Sequence, residues 1–299
     1  MLDSVVIENT TYCGANCTMC VREKINFELG SMSFELFKKA IDEIDSLYLK
    51  EFGSGLKNIE YGGMGDPLLD VGLEKKMGWI KEQFPRVQQH ICTTGHILDK
   101  KMDLVCKYVD VLKISNYGFS KGTYEAVHRG SLVYEDIKRN IDTFLSIPKG
   151  QRPKCIISFL LLPINAEEVE AWKVYYEDKC EELYVWKPHN WGGYTESETV
   201  REHSLAKSCG RPGKDFVIRA NGDVSVCCWD FNREMSIGNI SEESFSEIYY
   251  GNKLKEIKLM HKERRFFECK NVCSECDQLY DRRDALIYSS NKNYEVGIK

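Results

Sequence analysis

No run of 18 or more apolar residues occurs in the 299-residue chain, so no membrane-spanning helix is expected. The longest apolar run, Ile156 to Pro163, has the length of a strand. The first residues, Met1 to Glu8, lack the basic n-region and apolar h-region of a secretory signal, and a cytoplasmic protein is expected. Basic charge is not in excess either. Lysine and arginine number 41 against 46 acidic residues, a net charge of −5, so a nucleic-acid partner is not expected, although a local basic pocket stays open. No internal repeat is visible. Cysteine, by contrast, is plentiful. The chain has 13, an odd number that fits complete disulfide pairing poorly, and in a reducing compartment clustered thiols bind metal or carry redox chemistry. Cys92, Cys106, Cys155 and Cys180 stand scattered among apolar neighbours and read as small core residues. The others gather near residues 13–20 and 209–276.

The first 200 residues alternate between short apolar strands and longer amphipathic segments. Strands are predicted at Val5–Glu8, Asn58–Tyr61, Gln89–Thr93, Val109–Ser115, Lys154–Leu162 and Glu182–Trp186. Between them, helical periodicity marks Phe34–Leu47, Lys75–Gln83, Met102–Tyr108, Tyr134–Ser146 and Ala166–Tyr176. Six such units imply an α/β fold with parallel strands, closing partway round an axis as a partial (β/α)6 TIM-type barrel whose working groups sit at the C-terminal strand ends. The expected domains are a barrel over residues 1–193, a polar connection over 194–208, and a small cysteine-rich domain with the C-terminal tail over 209–299. The tail from Ser289 on reads as loosely ordered.

Cys13-Gly-Ala-Asn-Cys17-Thr-Met-Cys20 places three thiols on one tight loop directly after the first strand. Gly14 and Ala15 are small enough for the backbone to wrap a metal group closely. A zinc site usually draws four ligands from two separated pairs, whereas a four-iron cluster on three thiolates keeps one iron open. Gly62-Gly63-Met64-Gly65-Asp66-Pro67 follows the second strand, where a side chain would block close backbone approach to a ligand. Ser115-Asn116 ends the fourth, and reads as either a ligand contact or a turn.

The three-then-two cysteine spacing resembles the signature of the radical SAM superfamily. The resemblance implies that Cys13, Cys17 and Cys20 hold a [4Fe–4S] cluster whose open iron is chelated by S-adenosylmethionine (SAM). Reductive cleavage then yields a 5′-deoxyadenosyl radical that takes a hydrogen atom from substrate. It also implies that the Gly62, Gly63, Met64, Gly65, Asp66 stretch binds the SAM amine, and that Ser115 and Asn116 contact its ribose or carboxylate. The position before the last cysteine is commonly aromatic in this family; here it is Met19, which makes that adenine contact apolar but not flat.

The C-terminal group comprises Cys209, Cys227, Cys228, Cys269, Cys273 and Cys276. Phe216–Ile218 and Val224–Val226 flank Asn221-Gly222, a hairpin signal that brings Cys209 and Cys227 together. Cys273-Ser-Glu-Cys276 adds two thiols on one turn. The layout resembles the SPASM/Twitch extension of radical SAM enzymes in its shorter form, which implies a second [4Fe–4S] cluster on Cys209, Cys227, Cys273 and Cys276; a structural zinc ribbon on the same ligands is the alternative. Cys228 and Cys269 are surplus. Each is buried filler, a replacement ligand, or the hydrogen-atom donor of an epimerase.

A four-thiolate cluster has no open iron and can instead accept an electron from a substrate radical, completing oxidation of an alcohol. The cysteine layout resembles that of radical SAM dehydrogenases that oxidise an amino-cyclitol alcohol. With the cysteine motif beginning at residue 13, no leader-binding domain is expected before it. These features point to a small polar substrate: a sugar, aminosugar, cyclitol or nucleotide sugar. Peptide or protein modification is the alternative, and a non-catalytic metal-stapled binding protein the third reading. A flavodoxin or ferredoxin is the expected reductant. Trp186 to Gly193 ends the sixth strand, and its aromatic and polar side chains suit a sugar. Lys187 or His189 is a candidate base, and Asn190 and Trp191 candidate substrate contacts, unless the segment is an interdomain turn. Tyr61, His96, His128 and Arg129 complete the candidate substrate set.

Overall fold

The computed structural model describes residues 3–196, 202–268, 271–280 and 285–293. Cys269, most of the C-terminal tail and part of the 194–208 connection lie outside them. Strand β1 (Ser4–Ile7) leads through the cysteine loop to helix α1 (Phe34–Phe52). Ser33 caps α1 by accepting the Leu36 amide, and Gly53 ends it in a left-handed conformation. There follow β2 (Asn58–Tyr61), α2 (Leu73–Gln83), β3 (Gln88–Thr93), α3 (Met102–Tyr108), β4 (Val111–Ser115), α4 (Lys121–His128), α5 (Tyr134–Ser146), β5 (Lys154–Leu160), α6 (Val169–Tyr176) and β6 (Glu182–Trp186). Strands β1 to β6 pair in order, all parallel. This is the partial barrel expected from the alternation.

Alternate strand residues have opposite roles. Ile7, Ile59, Tyr61, Ile91, Leu112, Ile114, Ile157, Phe159 and Val185 are buried. Tyr61 stacks on Phe37 of α1 and donates its hydroxyl proton to Gln89, so this face lies under the helices. The other parity (Asn58, Glu60, His90, Cys92, Lys113, Ser115, Ser158) is only partly buried and forms the inner face of the open barrel. The six-strand reading left that inner face unremarked.

Beyond the barrel the chain forms β7 (Val217–Ile218), β8 (Asp223–Ser225), β9 (Ser236–Asn239), α7 (Phe245–Tyr250), α8 (Asn252–Glu263) and β10 (Leu286–Ser289). The expected Asn-Gly hairpin is β7–β8, and β9 extends it. Strand β7 pairs with β1 in parallel, and β10 pairs with β6 antiparallel. The cysteine-rich region thus supplies both edges of one ten-stranded sheet. The sequence reading lacked α4, α7, α8, β9 and β10. Each is short or mainly polar, and its place is set by tertiary packing rather than by a strong apolar period. No helix among the described residues is long and apolar enough to cross a membrane.

Candidate active site and auxiliary metal centre

At the C-terminal ends of β1 to β4 a cavity of about 190 Å³ opens to solvent. One wall is the cysteine loop, with Cys13, Cys17, Met19 and Cys20. The loop is fixed from both sides. The Asn16 and Thr18 amides donate to the carbonyls of His128 and Val127, at the end of α4, each at 2.9 Å. Thr11 Oγ1 meets the carbonyls of Glu28 and Gly30. Burial raises all three thiols above their ordinary range. Cys17, with Cys20 and Cys13 beside it, is pushed up to about 12. Such thiols are protonated at neutral pH and release protons when metal binds.

The opposite wall is Gly62 to Asp66. A Cβ on Gly62 would enter open space, which leaves its backbone free to face a ligand. Gly63 has φ +141°, and a Cβ there would meet Glu8; a Cβ on Gly65 would stand 2.3 Å from the Thr10 carbonyl oxygen. Both positions require glycine. Buried Glu8 accepts the Met64 amide at 3.0 Å, which ties this segment to β1. The Asp66 carboxylate is taken up by the Thr93 and Thr94 hydroxyls and the Thr94 and Leu68 amides, so it holds the loop and leaves ligand contact to the backbone beside it. Arg22, which the sequence reading missed, donates to the Thr11 and Met64 carbonyls and lines the cavity. Ser115 also lines it, whereas Asn116 does not: buried, it accepts the Trp172 indole proton at 2.9 Å.

The cavity brings together some of the candidate substrate residues and not others. His128 and Trp191 line it. Tyr61 is a core residue, because strand parity points it at the helices. His96 sits behind the cysteine loop, where a Cβ on Gly14 would strike its ring. Arg129 is exposed and braces the loop through the Asn16 carbonyl and Glu23. Asn190 is buried and docks the C-terminal region: it accepts the Asp277 and Gly192 amides and donates to the Glu275 carbonyl. Asn190→Ala strands these buried partners. A loss of about 1–3 kcal/mol in denaturant unfolding is expected, since each unmade buried hydrogen bond leaves its desolvation cost uncompensated.

The second cysteine group encloses a smaller cavity of about 20 Å³, lined by Cys209, Cys227, Cys273 and Cys276. Burial, with neighbouring thiols, pushes Cys227 up to about 12 and raises Cys273; Cys276 reaches about 12 through burial and Asp277. His261, a further residue the sequence reading missed, lies with its Nε2 at 3.5 Å from Cys273 Sγ. Among the described residues no three His, Cys, Asp or Glu side chains converge as for a single metal ion. The four thiols line one common space. Cys228 is not on this cavity. Its sulfur accepts from Arg211 at 2.6 Å and faces another cavity shared with Asn58, Glu60 and His90 of the barrel's inner face.

Of the candidate bases, His189 sits between the two cysteine cavities. His189 packs against Trp191 on one side and Trp229 on the other, with ring centroids 4.1 and 4.0 Å away. Trp229 lines the auxiliary cavity and Trp191 the first one. The Lys187 amide donates to the Ala285 carbonyl just before β10.

Residues 209–277 match the SPASM iron–sulfur cluster-binding domain. Over nearly its whole length the chain is similar to the S-adenosyl-L-methionine-dependent 2-deoxy-scyllo-inosamine dehydrogenase of Niallia circulans. The two are 23% identical over 291 residues, 94% of this chain and 98% of the relative. Among solved structures it is similar to BtrN in complex with AdoMet and 2-DOIA (TM-score 0.63, 19% identity, 96% of this chain and 98% of that one). It is also similar to anSMEcpe with bound AdoMet (TM-score 0.67, 15% identity, covering 96% and 89%). A third likeness is to SuiB of Streptococcus suis bound to precursor peptide SuiA (TM-score 0.66, 14% identity, covering 92% and 70%). Barrel, cysteine loop and C-terminal domain agree: the chain has the partial (β/α)6 barrel of these structures, with a SPASM iron–sulfur cluster-binding domain at its C-terminus.

Proposed function

We propose that this chain is a radical SAM oxidoreductase acting on a small polar substrate of the aminosugar or cyclitol class. In this reading Cys13, Cys17 and Cys20 hold the SAM-binding [4Fe–4S] cluster, and Cys209, Cys227, Cys273 and Cys276 the auxiliary one. When bound and reduced, the first cluster with SAM supplies the 5′-deoxyadenosyl radical that abstracts hydrogen from substrate, and the second accepts an electron. The barrel covers residues 1–193, and the auxiliary domain begins at 209. The electron donor is a flavodoxin or ferredoxin, and the protein is cytoplasmic.

The observation that carries the substrate class is the polar inner face of the barrel. Glu60 and Lys113 form an ion pair at 2.6 Å, and His90 stands with Glu60 on the cavity that also holds Cys228. Cys92 and Ser115, one inward position further along β3 and β4, belong to the SAM-side cavity. Hydroxyl and amino groups are matched by such donors and acceptors, while an apolar side chain is not. The relative's amino-cyclitol substrate is of this class. His189 or Lys187 then takes the proton as the alcohol becomes a carbonyl. In an epimerisation, the Cys228 thiol instead returns a hydrogen atom to the substrate carbon, and the thiyl radical left on Cys228 is restored to a thiol by one electron from the flavodoxin or ferredoxin and one proton.

The test is anaerobic turnover of the reconstituted protein with a panel of amino-cyclitols, aminosugars and nucleotide sugars. A substrate deuterated at its carbinol carbon should deliver the label to 5′-deoxyadenosine and yield a ketone. Transfer only from a peptide overturns the small-substrate reading. A product with inverted configuration, lost in Cys228→Ala, selects epimerisation over oxidation. Lys113→Met should raise KM for the substrate by roughly 10- to 100-fold, the equivalent of one charge-assisted hydrogen bond. Substrate-free SAM cleavage should be unchanged.

A further inference from the structure

His128 has no role in holding substrate that its surroundings support. It is fully buried at the end of α4, and its ring is sandwiched between Tyr117 and Tyr124, with centroids 5.0 and 4.3 Å away. The backbone amide of Tyr117 points at His128 Nε2 from 3.1 Å. A backbone N–H can only donate, so Nε2 must present its lone pair. A neutral imidazole with an accepting Nε2 carries its proton on Nδ1. Nδ1 lies 3.3 Å from Cys17 Sγ. The Tyr117 amide therefore fixes the tautomer, and the tautomer aims an N–H at one sulfur of the cysteine loop. The His128 carbonyl simultaneously accepts the Asn16 amide, which holds ring and loop in register.

We infer that His128 is a positioning residue that tunes the SAM-binding cluster, its Nδ1–H hydrogen-bonding the Cys17 thiolate and raising the cluster's reduction potential. This rests on the reading of Cys17 as a cluster ligand. Hydrogen bonds to ligand sulfur delocalise thiolate charge and favour the more negative, reduced cluster. No proton is transferred. The bond is static, and its effect lies on how easily the donor protein's electron reaches the cluster.

The experiment is potentiometric titration of the reconstituted holoenzyme, read by the EPR signal that responds to added SAM. In His128→Phe, which keeps the ring stack and lacks the donor, the reduced-to-oxidised ratio at fixed potential should fall about tenfold, or ~59 mV for a one-electron couple. His128→Asn, whose amide nitrogen overlays Nδ1, should recover most of that loss. The auxiliary cluster's titration should stay in place in both. A SAM-responsive cluster whose titration is the same in native, Phe and Asn proteins overturns the inference. Native protein that loads no SAM-responsive cluster overturns the underlying reading instead. Should His128→Phe fail to fold, [15N]histidine labelling of the unmodified protein decides. A 15N coupling on the SAM-responsive signal is expected, and its absence refutes the hydrogen bond.

Discussion

Cys17→Ala reduces 5′-deoxyadenosine formation from SAM to background and lowers bound iron from roughly eight to roughly four per chain, two four-iron clusters becoming one. The reason lies in how the loop is built. Cys13, Cys17 and Cys20 are the three thiols on the wall facing the Gly62–Asp66 backbone, and His128, their buried neighbour, has its ring nitrogens committed to Tyr117 and Cys17. Among the described residues nothing beside Cys17 stands ready to replace it. Cys92 shares the cavity, but it belongs to β3 and its sulfur lies 3.8 Å from the Ser115 hydroxyl. The auxiliary thiols ring a separate space and should keep their metal. Iron analysis and chromatographic assay of 5′-deoxyadenosine after dithionite reduction check both halves. Unchanged SAM cleavage in this variant would falsify the assignment of the three-cysteine loop. Zinc at both sites, without SAM cleavage in native protein, would support a structural metal-binding role.

Much of this was legible in the residue order. Short apolar strands alternating with helices of 3.6 period set out the barrel, and the two cysteine groups marked the candidate metal sites. The candidate substrate set fared less evenly, for a physical reason. Tyr61, one of the candidates, stands at a strand end next to Gly62. Adjacency along a strand reverses the face, however, and Tyr61 turned to the helices while Glu60 turned inward. The polar inner face was present in Asn58-Ile-Glu60-Tyr and His90-Ile-Cys92-Thr as an alternation of period two, and could have been read from it. Other features had no local signal. The His128–Cys17 contact joins residues 111 apart, and the second role of Asn190, in docking Asp277, depends on a fold-back of 87 residues. Strand β10 returns to pair with β6 because both have unsatisfied backbone edges, which four residues of Leu-Ile-Tyr-Ser cannot announce alone.

Arg219→Met should cost about 3–5 kcal/mol of stability, the largest single effect expected outside the cysteines, because it leaves a buried carboxylate unpaired. Arg219 and Glu8 meet at 3.2 Å, with both side chains only 4% exposed. Glu8 follows β1, and Arg219 follows β7, the strand that the C-terminal domain adds beside it. The same carboxylate accepts the Met64 amide of the glycine segment and the Ala220 amide of the hairpin turn. Arg219 in turn donates to the Asp230 carbonyl, just past Cys227 and Cys228. One buried pair therefore connects the first strand, the backbone of the glycine segment and the chain beside Cys227 and Cys228. Removing the cation should loosen all three, so a raised KM for SAM is expected along with the loss in denaturant midpoint. Glu8→Gln separates the contributions. It keeps an acceptor for Met64 and removes the charge, so KM for SAM should move less than in Arg219→Met. The double variant should recover part of the stability, since an apolar side chain facing a neutral amide leaves no buried ion. If the two single losses simply add in the double, the pair is not coupled, and the domains are held by their strand edges alone.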